Sequence, residues 1–173
     1  MSRSAPWVVN AARRTLVTAF PGLARPADDW AAARLAPAEA RLFLSLPPQE
    51  RAHGIEVARR LLASNPDASP TLVKAALLHD VGKLGTPQFV LWRVLTHLLP
   101  PAALAAEPRL RGLAGARQAR VHHARYGAEL IRQAGGHAAV VELVARHHSA
   151  PTADLPTEQA NDLARLRAAD ERT

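Results

Sequence analysis

His79 and Asp80 are adjacent metal-binding side chains at the end of an apolar run formed by Leu72, Val73, Ala75, Ala76, Leu77 and Leu78. A segment apolar on nearly every face is a buried helix rather than a surface one. Ending it with an imidazole and a carboxylate is costly unless something pairs with them, and a divalent cation suits both. Gly82 is expected to break the helix, leaving Lys83 at the mouth of that break with its ammonium beside the doublet. Alone, the doublet has a plainer explanation: a His near a helix C-terminus followed by an Asp that opens a turn. The choice between the two rests on whether further ligand types stand on other apolar rows.

They do. His53 shares a row with Val57 and Leu61 at the edge of a stripe made by Ala52, Ile55, Ala58 and Leu62, although a single His there is more often structural. His123 lies on a face with Gly127 and Leu130, and Gly127 lets another group approach closely. His122 points about 100° away and is the weaker ligand. His147 follows Val140 and Leu143, and His148 follows Val141 and Val144, so both imidazoles end an apolar helix. Asp170 lies on a stripe with Leu163 and Leu166, with Asp162 at its flank as the second choice. His97 reads as a surface or structural residue.

The elements that must carry these groups are helices. Hydrophobic residues make up 48% of the 173 residues but aromatics only 4%, which leaves a core of Ala, Leu and Val and no alternating β-branched runs. The chain is expected to be all-α. Short helices are expected over 7–20 and 28–46, with Asp28 or Asp29 as a cap and Pro37 starting a further segment. A longer helix runs from Pro47-Pro48 to about Ala63, and Ser69-Pro70 caps and starts the next. An apolar segment with Trp92 covers Phe89 to Leu99, and 107–120 reads as a loop with room for a short helix. Helices follow over 121–133, stopped by Gly135-Gly136, then over 138–148 and 157–171. Residues 1–46 form an N-terminal helical extension and 47–173 the domain that carries the chemistry.

Composition narrows the chemistry further. There is no cysteine, so disulfides and thiolate ligands are excluded and His and carboxylate remain. No apolar stretch is unbroken enough to span a bilayer, and a cytoplasmic location is expected. The formal charge is +7, nearly all of it arginine, because lysine occurs only at Lys74 and Lys83. A coding bias toward Arg, Ala and Pro is the plain explanation, and attraction of an anionic substrate such as a nucleotide is the functional alternative. The arginines are scattered rather than interleaved with aromatics, so no dedicated nucleic-acid surface is indicated.

Arg-Ala-His53, His79-Asp80-Val-Gly-Lys83, His123-Ala-Arg-Tyr-Gly127-Ala-Glu-Leu, His147-His148 and Ala-Ala-Asp170 together resemble the HD-domain superfamily of metal-dependent phosphohydrolases. The resemblance covers roughly residues 47–171 and implies a phosphodiesterase-like all-α bundle whose ligands converge from different helices. It implies that His53, His79, Asp80 and Asp170 hold one metal, and that Asp80 bridges to a second held by His123, His147 and His148. Such ions, about 4 Å apart, would activate a shared water and clamp a phosphoryl group. Lys83 would neutralise charge on the phosphate oxygens. One or two divalent transition ions are expected, Mn, Fe, Zn, Co or Ni, and the implied partner is a small phosphorylated substrate such as a nucleotide.

Three features set this chain apart from named subgroups. Ser149-Ala150-Pro151 stands where the HD-GYP enzymes carry Gly-Tyr-Pro, and Gln49 stands one turn before the first His, where some of them carry a carboxylate. Gly82-Lys83 replaces the Glu-Asp pair of the guanosine tetraphosphate hydrolases. Two other readings share the ligand set: a di-iron oxygenase of the same fold, and an inactive binding or signalling module. The intact ligand set argues against the second.

Overall fold

Proline starts three of the helices. It stands at the first position of α2 (Pro37–Leu44), α3 (Pro48–Ser64) and α4 (Pro70–Leu78). There its fixed φ suits the helix, and its missing N–H leaves nothing unpaired. The computed structural model describes residues 25–85, 110–150 and 154–173, together with Thr96 and Leu99. The remaining described elements are α1 (Asp28–Ala32), a 3₁₀ turn (Val81–Lys83), α5 (Gly112–Gln133), α6 (Ala138–Arg146) and α7 (Thr157–Glu171). The described residues contain no strand, as the all-α expectation requires. No helix among them is long and apolar enough to cross a membrane. The expected helix over 7–20 and the apolar segment with Trp92 and His97 lie outside the described residues.

The core forms where the apolar stripes of α3 to α7 meet. Leu61, Leu72, Leu77, Leu78, Ile131, Leu163 and Leu166 are almost fully buried. Burying each such side chain stabilises the fold by about 1.5–3 kcal/mol. Ala31 from α1, Phe43 from α2 and Leu46 join the same cluster, so residues 28–46 pack on the core. Buried charge fastens this junction. Glu39 of α2 accepts from the Ala36 backbone N–H at 2.8 Å and from Lys74 of α4 at 2.9 Å.

Four local expectations are corrected. Asp28 and Asp29 are not caps: Ala27 holds the N-cap position, and Asp28 instead takes a two-pronged bond from Arg51 at 2.9 and 3.1 Å. Gly82 does not end the helix, because α4 stops at Leu78 and Gly82 lies inside the following 3₁₀ turn. The stretch 112–120 is helical, so α5 begins nine residues before the expected 121. Its early buried face consists of Gly115, Gln118 and Ala119, which carry no periodic apolar signal. Finally, His148 is exposed, because α6 ends at Arg146 and the row drawn through Val141 and Val144 no longer applies beyond it.

Other stops and starts hold. Ser69 Oγ accepts from the Leu72 N–H at 3.1 Å and caps α4. Gly135, with φ of 76°, closes α5: its N–H reaches Arg132 O, and the Gly136 N–H reaches Ile131 O at 2.9 Å.

Candidate metal centre

Helix ends aim the histidines. His79 is the C-cap of α4 and His147 the C-cap of α6. The Nδ1–H of His79 donates to Ala76 O at 2.9 Å and that of His147 to Val144 O at 2.7 Å. In the middle of α5, His123 Nδ1 donates to Ala119 O at 2.9 Å. A carbonyl only accepts, so in all three rings Nδ1 carries a proton, and the inward-facing Nε2 is the atom left to ligate a metal. This is the tautomer that ligates a metal, held by an outer hydrogen bond.

The inward atoms fall into two groups. His53, His79 and Asp170 form one, and His123, His147 and His148 the other, with the ligand atoms of each within 4.8 Å of one another. His53 Nε2 lies 3.1 Å from Asp170 Oδ1, and His79 Nε2 lies 3.6 Å from the same oxygen. In the second group His123 Nε2 is 3.3 Å from His147 Nε2 and 2.8 Å from His148 Nε2. Asp80 lies between them. Its Oδ1 is 3.3 Å from His123, while its Oδ2 is 3.4 Å from His79 and 3.7 Å from His53.

The donor set fits a divalent transition ion. His79 Nε2 is buried without a hydrogen-bond partner, and a buried polar atom left that way is costly. The inward Nε2 atoms of His123 and His147 face each other, an arrangement a cation relieves. The electrostatics agree. Burial would lower the pKa of His79, but the Asp80 and Asp170 carboxylates outweigh it and push it up to about 10. Burial would raise Asp80 and Asp170; instead Lys83 and His79 hold the first well below the carboxylate range, and His53 and His79 depress the second. His147 goes the other way, lowered to about 2 by burial and by the charge of His79. Burial, then His123, also lowers His148.

Backbone contact fixes the spacing of these groups. Gly82 in the 3₁₀ turn packs against α5 so closely that a Cβ there would overlap the His123 carbonyl oxygen. The same Cβ would lie 2.5 Å from the Gly127 nitrogen. A Cβ on Gly127 would lie 3.1 Å from the Gly82 nitrogen. The close approach read from Gly127 in the sequence is therefore present, and its partner is Gly82.

A family model for the HD domain matches residues 52–171. The chain belongs to the HD-domain family. No curated protein and no solved structure is a significant match. The HD-domain family includes many metal-dependent hydrolases as well as non-catalytic members, and the clustered His and Asp side chains of this chain could hold a metal ion.

Of the sequence candidates, His53, His79, Asp80, His123, His147, His148 and Asp170 come together here. Asp162 does not join either group; it lies 3.7 Å from Arg165, and burial raises its pKa. His122 stays outside both groups, its ring 6.2 Å from that of Tyr126. Lys83 reaches inward, with Nζ 2.5 Å from Asp80 Oδ2 and 3.6 Å from Glu50 Oε2. Glu50, two residues before the matched range, is a buried carboxylate with no role in the sequence analysis. Its spacing of three from His53 was the available signal, since residues i and i+3 share a helix side.

Proposed function

We propose that this HD domain is a metal-dependent phosphohydrolase acting on a phosphate ester of a nucleotide or related small molecule. The observation that carries this reading is the Asp80 carboxylate, with one oxygen 3.3 Å from His123 and the other 3.4 Å from His79. A carboxylate spanning two ligand groups is the arrangement a two-metal phosphoryl-transfer site needs. In this reading His53, His79, Asp80 and Asp170 hold one ion, and Asp80, His123, His147 and His148 hold the other. Divalent transition ions bound there would acidify a water and polarise the phosphoryl oxygens.

The chain's own side chains supply the rest. The Nδ1 bonds to Ala76, Ala119 and Val144 carbonyls keep His79, His123 and His147 in one tautomer. Lys83, at the edge of the site, offers an ammonium to a phosphate oxygen. His148 is the exposed member of its group, so substrate enters on that side.

The test joins elemental analysis to a panel of phosphomonoesters, phosphodiesters and nucleotides, assayed with Mn, Ni or Zn. Bound transition metal with metal-dependent phosphate release is expected. A protein that binds none of these ions, and gains no thermal stability from them, overturns the reading. Bound iron with oxygen consumption and no phosphate release would favour an oxygenase instead.

A further inference from the structure

The ammonium of Lys83 stands on the same carboxylate oxygen that faces His79 and His53. Nζ is 2.5 Å from Asp80 Oδ2, which lies 3.4 Å from His79 Nε2 and 3.7 Å from His53 Nε2. An ammonium there offsets the charge of the oxygen that a cation would use and competes with it for that carboxylate. Two like charges sharing one largely buried oxygen repel, although the Lys83 side chain is 27% exposed. A cation held by Asp80 would gain if Lys83 moved to another carboxylate within reach of its stem.

Glu50 is placed to receive it. Its Oε2 lies 3.6 Å from Lys83 Nζ, and its side chain is 7% exposed. It stands on α3 one turn before His53, on the side from which Lys83 approaches. We propose that Glu50 is a positioning residue that draws Lys83 off Asp80 and keeps the shared carboxylate open to a cation. The proposal rests on the metal-centre reading above and goes beyond it, because it gives the ammonium two stations and Glu50 the second of them. Lys74 is the contrast: it is also paired with a buried carboxylate, Glu39 at 2.9 Å, but no ligand group among the described residues lies at that pair.

The test compares zinc binding by calorimetry for chelated wild type, Glu50→Gln, Lys83→Met and the double variant. Glu50→Gln should weaken zinc binding at least about tenfold, the scale of an outer partner of a metal site. Lys83→Met should bind zinc at least as well as wild type. The double variant should return to wild-type affinity, because removing the competitor makes Glu50 unnecessary. Only two lysines occur in the chain. In spectra of their ¹⁵N-labelled ammonium groups, zinc should therefore move the Lys83 signal and leave that of Lys74 in place.

Wild-type affinity in Glu50→Gln overturns the proposal, and so does a double variant as weak as Glu50→Gln, which would make Glu50 a ligand or a purely structural group. A wild type that binds no zinc overturns the metal-centre reading and this proposal together. Zinc binding with this pattern but no phosphate release from any substrate removes only the phosphohydrolase reading.

Discussion

The two ligand groups differ in charge and in depth. His53, His79 and Asp170 combine imidazoles with a carboxylate and converge from α3, the end of α4 and α7. His123, His147 and His148 are all imidazole, come from α5 and the end of α6, and include an exposed member. The first group draws positive charge to itself, as the raised pKa of His79 records. The second repels protons, as the lowered values of His147 and His148 record, and the carboxylate that reaches into it is Asp80, with Oδ1 3.3 Å from His123. Under the two-metal proposal the first group would hold a cation firmly, and the second would do so only while Asp80 is shared.

Removing the shared carboxylate is the strongest way to break that comparison. Asp80→Ala should cost at least about 100-fold in phosphate release and strip metal from both groups. Elemental analysis after dialysis reads the second effect. Lys83→Ala should lower turnover but keep its metal, so equal metal loss in both variants would show that Lys83 acts through the ligands. Next come the neighbours on α5. His123→Ala should lose activity on the same scale, while His122→Ala should stay close to wild type. The reverse result would mean that α5 is turned by one residue.

The side chains that cluster here were legible in the sequence because each sits on, or ends, a row of apolar side chains. Rows stop being informative where helices stop, which is why the exposure of His148, beyond Arg146, was misread. Patterns also fail where burial uses small or polar residues. Gly115, Gln118 and Ala119 face inward at the start of α5, and Gln118 does so by accepting from the Leu110 N–H at 2.7 Å. Glu50 escaped for a related reason: its neighbours Gln49 and Arg51 make the start of α3 look like a solvated face. Only its spacing from His53 tells otherwise.

A smaller effect sharpens the contrast through pH in chelated protein. His79 binds its proton more tightly folded, at about 10, than unfolded, at 6.5. Its contribution to stability is therefore full below pH 6.5 and is lost as pH rises toward 10. His147 is held neutral in the fold, at about 2 against 6.5, so its contribution is full above pH 6.5 and is lost as pH falls. Asp80 and Asp170, both depressed, add a further loss as pH falls below 3.8. Thermal melts of chelated protein should peak near pH 6.5. His79→Asn should flatten the alkaline limb, and His147→Asn the limb between 6.5 and 3.8. If one substitution flattens both limbs, the groups are not electrically distinct.

The smallest change lies at the glycines between the groups. A methyl on Gly127 would stand 3.1 Å from the Gly82 nitrogen and 3.3 Å from Val144 Cγ1. Gly127→Ala should therefore cost about 1 kcal/mol in a denaturant melt, the low end for overpacking. It should also reduce the metal affinity of the imidazole group more than that of the mixed group. Unchanged affinity at both would separate packing from ligand spacing.

The meeting of Gly82 and Gly127 works as a calliper whose jaws are main chain. Side chains can change rotamer to absorb a shift elsewhere in the core, but two peptide backbones in contact have nothing left to adjust. The gap between Asp80 and His123 is thereby insulated from drift in the apolar residues around it. Surrounding positions can exchange Leu, Val and Ala while the jaw setting stays the same. A change of setting has to be made at the two glycines themselves.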